Sequence, residues 1–518
     1  MLENANEGFP ILTFIVACPM VAAAILLLIP ETMLRAIRAV SLLGATLSAI
    51  GAGYVAYAYS LAAPGTRFIF VERHELVPSL GIEYVMAVDG WGAALLVLTG
   101  LIIFAGVCAT WTLENRAKEF FIYLLVLVAG VYGVFVSQDL FVFFLFYEIA
   151  VLPMYLLIGI WGSSGKVAEA GPFRYAFRML DVGGKEYAAM KLTLMLLIGS
   201  AFILAAMLGM YVEAGNTFLI TEMETTTFSS NLQLLAFPAL WIGFGTLGGL
   251  WPFHTWSPDG HASAPTAVSM LHAGVLMKLG AFGVIRIGMM LLPEGARDWA
   301  FIVGCVAVMN IVYGAFCAMS QKDLKYVIAY SSVSHMGVVL LGAATLTVNG
   351  WNGAVYQMVA HGIMTGLFFA LVGLVYERTH DRWIPNMGGF AGIMPFAAGF
   401  FTLGCLSSLG MPGTAGFVAE FMVFLGAWES PHWWWSVAGA TGAFITAVYV
   451  MRATKTIFWG EGPPEKFADL PDVQASEHVA LWVLGASLIL FGVWPRLILD
   501  LIDRNTTDYL QMVMGIGG

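Results

Sequence analysis

What most limits the fold of this chain is a succession of apolar runs, each about the length of a bilayer crossing, with few charges to interrupt them. A helix needs about 20 apolar residues to cross lipid, where every backbone N–H and C=O must be satisfied within the segment. Runs bounded by charged or Pro/Gly-rich breaks fall near 8–29, 39–62, 90–110, 119–137, 139–162, 188–213, 231–257, 262–290, 299–319, 323–346, 351–376, 392–428, 433–458 and 478–500. They predict an all-α polytopic membrane protein of about fourteen transmembrane helices, and none shows the polar-in, apolar-out alternation of a barrel strand. Composition agrees: 59% of the 518 residues are hydrophobic and 11% charged. A soluble domain carries about 25% charge, so the lipid bilayer is the solvent this surface fits.

The net charge of −10 comes from residues scattered through short loops. No basic stripe is present to neutralise phosphates, which argues against nucleic-acid binding. The five cysteines each lie in an apolar run without a C-x-x-C pair, as small buried residues would. The acidic start MLENANEGF lacks a basic leader, so the first run is expected to be a retained helix. Fifteen Lys and Arg fall in one set of alternating loops, while only Arg67, Arg73, Arg297 and Arg504 fall in the other set and the tails. The basic set marks the inner face and puts both termini on the outer side. Between the spans, 63–89 is expected as an outer loop able to form a hairpin. Residues 163–187 are expected as a Gly-rich basic inner loop, and 459–477 as a Pro-rich inner one.

Ionisable residues inside the spans are the candidates for function, because a charge at mid-bilayer is costly and must face the protein interior. Glu148 lies nine residues into its run, about 13 Å deep. Lys278 is as central. Glu420 follows Ser-Ser-Leu-Gly-Met-Pro-Gly-Thr (407–414), which should break the helix and leave backbone lining a polar cavity. His335 and His361 sit mid-span beside hydroxyls or an amide, with ring chemistry suited to proton relay. Each could instead make a structural interhelical hydrogen bond. His272 is as compatible with the core as with function. His254 and His261 frame a Pro-Asp-Gly turn, but metal binding there would need a third ligand. Gly243-Phe-Gly-Thr-Leu-Gly248 spells a dinucleotide fingerprint, yet it lies within a span and fits close helix packing better.

Four stretches resemble the antiporter-like proton-pumping membrane subunits of respiratory complex I (NADH-quinone oxidoreductase): 139–162, 251–286, 321–337 and 407–426. Glu420, where most such subunits carry lysine, points to the subunit M, mitochondrial chain 4 type. The resemblance covers roughly residues 85–460. It implies two inverted five-helix repeats with discontinuous helices 7 and 12. The domains would be 1–110 (helices 1–3), 111–290 (helices 4–8), 291–458 (helices 9–13) and 459–518 (inner loop and helix 14). Proton-pathway roles carry over to Glu148, Lys278, His335, His361 and Glu420, with Lys191, His254 and His272 as possible auxiliaries. It further implies a subunit of a translocating NADH:quinone oxidoreductase in the bacterial inner (plasma) membrane, between homologous antiporter-like subunits. This chain would hold no redox centre or metal, with flavin, iron–sulfur clusters and quinone in other subunits. A subunit of a multi-subunit cation/proton antiporter or membrane-bound hydrogenase is the alternative, and a stand-alone transporter or scaffold the third.

One departure stands out. The family places a lysine in helix 7, seven residues before the histidine of the P-F-H-T-W motif, as partner to the helix-5 glutamate; here that position is Leu247. Lys191, in the sixth run, is the basic residue expected to take its place, unless it snorkels to headgroups instead.

Overall fold

The computed structural model describes residues 8–164 and 183–515, and these are nearly all helical. Twelve helices among them are long and apolar enough to cross a bilayer. The first six are α1 (Ile11–Leu28), α2 (Leu34–Leu61), α3 (Gly90–Ala109), α4 (Ala117–Val136), α5 (Leu140–Trp161) and α6 (Lys185–Glu213). At the place of the expected seventh span stand two shorter helices, α7 (Ser230–Leu247) and α8 (Trp256–Ser263). Then come α9 (Thr266–Met289), α10 (Pro293–Ser320), α11 (Leu324–Ala344) and α12 (Val348–Thr379). The expected twelfth span is likewise divided, into α13 (Pro395–Ser408) and α14 (Ala415–Glu429), before α15 (Trp434–Phe458) and α16 (Ala475–Val493).

The two divided helices break in the same way. After α7, Gly249 takes the left-handed conformation (φ +79°), Gly249 N–H donates to the Thr246 carbonyl at 3.1 Å, and Leu250 N–H to that of Gly245 at 2.8 Å. After α13, Gly410 is left-handed (φ +69°), its N–H donates to the Ser407 carbonyl at 3.2 Å, and Met411 N–H to that of Leu406 at 3.0 Å. Both are Schellman caps, which satisfy carbonyls that a helix end would otherwise leave bare. Glycine is needed at each because a side chain disfavours positive φ.

The loop between α2 and α3 forms the hairpin, β1 (Ile69–Val77) paired antiparallel with β2 (Ile82–Val88). Its Glu72 carboxylate accepts from the N–H groups of Leu12 and Thr13 at 2.8 and 3.0 Å, so it caps the positive end of α1. The fourteenth span, expected over 478–500, stops at Val493. Pro495 interrupts it, and a separate amphipathic helix, α17 (Arg496–Met514), lies along the hairpin face. Its polar residues Asp500, Asp503, Arg504 and Asp508 suit an aqueous surface and not a bilayer. Most of the inner loop expected at 163–187 lies outside the described residues.

Around the interior the helices sort by exposure. α9 and α12 are buried throughout their apolar stretches and α11 almost so, whereas α1, α6, α10 and α15 each turn a broad face outward. The fingerprint-like glycines are packing residues: a Cβ on Gly243 would meet Ile203 Cγ1 at 2.6 Å and the Gly199 carbonyl at 2.7 Å on α6. That is the close approach small residues permit between membrane helices.

Candidate functional site

The three interior helices carry polar side chains toward one another. On α9, Lys278 is wholly buried in a short α-helical stretch between two π-helical ones, His272–Leu276 and Val284–Met289. A π turn leaves backbone carbonyls offset from the regular ladder. The Lys278 ammonium donates to one of them, Ala273, and to His361 Nδ1 on α12 at 2.8 Å. The His361 ring stacks on that of His335, from α11, with centroids 5.2 Å apart. His335 Nδ1–H donates to the Ser331 carbonyl at 2.8 Å, which turns Nε2 toward the Glu420 carboxylate of α14 at 3.5 Å. Lys278, His361, His335 and Glu420 thus form one buried row across four helices. His361 Nε2, Gln357 Oε1 and the hydroxyls of Ser407 and Ser408 have no protein partner among the described residues. Buried polar groups of that kind are where proteins hold water.

Helix breaks shape both ends of the row. A Cβ on Gly410 would stand 3.0 Å from Glu420 Oε2, so the break after α13 lies directly against the carboxylate. At the other end, α8 brings His261 onto His272 of α9, rings stacked at 3.9 Å and both fully buried. His272 also stacks on Trp256 at 5.2 Å. Both His272 nitrogens and His261 Nδ1 lack protein partners among the described residues. The Pro-Asp-Gly sequence expected as a turn lies within α8, where Pro258 falls in the first turn and removes no helical bond. His254 stands apart against Tyr313 at 5.1 Å. Among the described residues no three His, Cys, Asp or Glu side chains converge as a metal would require.

Toward the face opposite the hairpin, a second polar layer surrounds α8. Lys325, one of the fifteen basic residues counted at the inner face, is buried, and its ammonium donates to the Ala264 carbonyl at 2.8 Å. Arg382 pairs with Asp323 at 2.5 Å and donates to the Ala262 carbonyl at 2.6 Å. The signal for Lys325 was present in Asp323-Leu-Lys-Tyr, a helix start whose third residue turns inward, but a flanking charge there resembles any interfacial lysine.

Glu148 is not in the row. It lies half-buried on α5, where Ser200 Oγ of α6 donates to it at 2.5 Å, and among the described residues it has no ion-pair partner. Lys191 is paired not with Glu148 but with Asp259 of α8 at 2.7 Å, a carboxylate that also accepts from Tyr326 OH at 2.8 Å. This pairing argues against the expected replacement: the lysine meets an acceptor on the second half of the broken helix. Leu247, at the last turn of α7, is fully buried.

Comparison with known proteins agrees with this arrangement. Residues 137–446 match the family described as NADH:quinone oxidoreductase/Mrp antiporter, TM. The chain is 36% identical over 516 residues to NAD(P)H-quinone oxidoreductase chain 4 1 of Nostoc sp., covering 96% of this chain and 91% of the relative. It is 34% identical to NAD(P)H-quinone oxidoreductase chain 4 2 of Thermosynechococcus vestitus, covering 98% and 93%. A chain of respiratory complex I from Thermus thermophilus with bound NADH superposes with a TM-score of 0.84 at 27% identity, covering 98% of this chain and all of that one. A chain of the Mrp complex from Dietzia sp. shares the fold, with a TM-score of 0.81 at 19% identity over 98% of this chain and 99% of that one. Matched by the family over 137–446 and by a chain 4 relative over 96% of its length, this chain belongs to the NADH:quinone oxidoreductase/Mrp antiporter membrane family, among the quinone oxidoreductase chain 4 proteins.

Proposed function

We propose that this chain is a proton-translocating membrane-arm subunit of an NADH:quinone oxidoreductase, carrying protons along the buried row and driven by electron transfer in other subunits. The observation that supports it is the continuity of Lys278, His361, His335 and Glu420 through the interior. Flavin, iron–sulfur clusters and quinone belong to the partner subunits, and homologous antiporter-like subunits flank this one. The loop bias of Lys and Arg makes the hairpin face the outer one, with both termini there, in a bacterial inner membrane. The segments 111–290 and 291–458 act as two repeats, each centred on a helix broken at the same kind of cap.

A proton enters from the inner face past the Lys325 layer and the stacked His261–His272 pair, with His254 to one side. It reaches Lys278, whose ammonium passes it to His361 Nδ1 across the existing hydrogen bond. Stacked rings offer each other no N–H···N line, so transfer to His335 goes through a water or a ring rotation. His335 Nε2–H then delivers to Glu420, and each group returns to its starting form when the next proton arrives. Gating comes from a population shift between states in which these links are made or broken. Glu148, held by Ser200 and without an ion-pair partner among the described residues, acts beside this row and not within it.

Lys278→Ala tests the reading. The whole complex reconstituted in vesicles should lose proton uptake by about tenfold or more, the scale of losing one positioned proton carrier. Donor oxidation by an artificial acceptor should persist. Full pumping by an assembled Lys278→Ala complex would refute the route.

A further inference from the structure

A second buried charge cluster lies on α9, eight residues beyond Lys278 and about 12 Å nearer the hairpin face at the helical rise. Arg286 there is 2% exposed, and its Nη1 donates to Asp89 Oδ2 at 2.9 Å. Nη2 donates to Gln138 Oε1 at 3.2 Å. The same Asp89 oxygen accepts from Tyr509 OH of α17 at 2.6 Å, and Asp89 Oδ1 accepts from Gly92 N–H at 2.8 Å at the start of α3. The guanidinium lies 5.2 Å from the Tyr509 ring and 5.5 Å from that of Phe68. Arg67, paired with Glu224, covers both rings from its own side at 4.9 and 4.8 Å.

As a stabilising device such a cluster is a poor choice, since taking two charges out of water costs about as much as their attraction returns. Its position suggests another use. It stands where a straight path from Lys278 along α9 would reach the hairpin face. A guanidinium does not release its proton under physiological conditions, so it cannot relay one, and a fixed buried cation opposes the passage of another. Asp89, the carboxylate paired with Arg286, is already held at both oxygens. Resting on the proton route proposed above, we infer that the Arg286–Asp89–Tyr509 network is a proton seal. It closes the direct outward path above Lys278, so that protons leave that lysine sideways, through His361 and His335 toward Glu420. The helix α17 is its lid.

The seal is tested in vesicles containing the whole complex, with no electron donor, by imposing a potassium diffusion potential and following internal pH. Arg286→Gln should raise passive proton conductance about tenfold, while Arg286→Lys, which keeps the cation, should stay near the parent. Adding Lys278→Ala to Arg286→Gln should abolish the leak, because the leak runs through that lysine. Parent-like conductance and full pumping in Arg286→Gln would overturn the seal, as would a leak that persists in the double variant. If Arg286→Gln fails to assemble, Arg286→Gln combined with Asp89→Asn decides: it removes the cation without leaving an unpaired buried carboxylate, and a measurable leak supports the seal whereas parent-like conductance overturns it. The underlying route fails on a separate reading, full pumping by Lys278→Ala alone, whatever the conductance of the Arg286 variants.

Discussion

His335 holds its Nδ1 hydrogen on the Ser331 carbonyl one turn back on its own helix, and that single bond decides which nitrogen faces Glu420. That all five central residues lie within long apolar helices or their broken halves was legible from sequence, because an ionisable side chain in an apolar run stands out wherever it falls. Pairing was not. Lys278 meets His361 across 83 residues of chain, and no local pattern encodes which of several buried groups will face it. Glu148 shows the limit most clearly: its partner is Ser200, a residue with no distinguishing context in an apolar helix. A double-mutant cycle on coupled turnover should therefore find interaction between Glu148→Gln and Ser200→Ala, of the order of 0.5–3 kcal/mol for groups in contact. Glu148→Gln and Lys191→Ala should be additive within about 0.5 kcal/mol. A strong coupling between Glu148 and Lys191 would restore the replacement idea that the Asp259 pair argues against.

Breaks in the helices were easier to anticipate than departures within them. Gly410, Pro412 and Gly413 announce an interruption, and the structure places it there. The two π-helical stretches of α9 had no sequence signal, since they depend on how α9 packs against its neighbours. The last apolar run was overextended because Leu497, Ile498 and Leu499 prolong its hydropathy past Pro495, although Ile498 belongs with Leu501 and Ile502 to the buried side of an amphipathic helix. The paired caps allow a comparison. Alanine at either Gly249 or Gly410 would pay for a left-handed backbone, about 1–2 kcal/mol. At Gly249 the new methyl meets only the mobile end of Met277, at 2.7 Å, whereas at Gly410 it presses on the Glu420 carboxylate. Both variants should lose similar thermal stability in the detergent-solubilised complex, but Gly410→Ala should lose much more proton pumping. Equal pumping in the two would show that the second break does not position Glu420.

Taken as a whole, the molecule keeps Lys278, His335 and His361 on helices buried almost throughout, while α14 turns Phe421 and Trp428 outward and carries Glu420 on its buried side. The membrane-spanning helices and the hairpin were legible, because they follow from runs of residues. Which helices would form the interior was not, because α9, α11 and α12 are no more apolar than α1, α6 or α10, which face outward. That enclosure has a consequence for how the protein meets its membrane. With α9 and α12 buried throughout, the medium around Lys278 and His361 is set by neighbouring helices and not by acyl chains. A bilayer a few Å thicker or thinner acts on the rim, where tilting and side-chain snorkelling absorb the mismatch. Across lipids of graded chain length, the number of protons moved per electron should therefore hold constant while the lifetime of the assembled complex varies. The row would be insulated from the lipid composition of the cell that houses it.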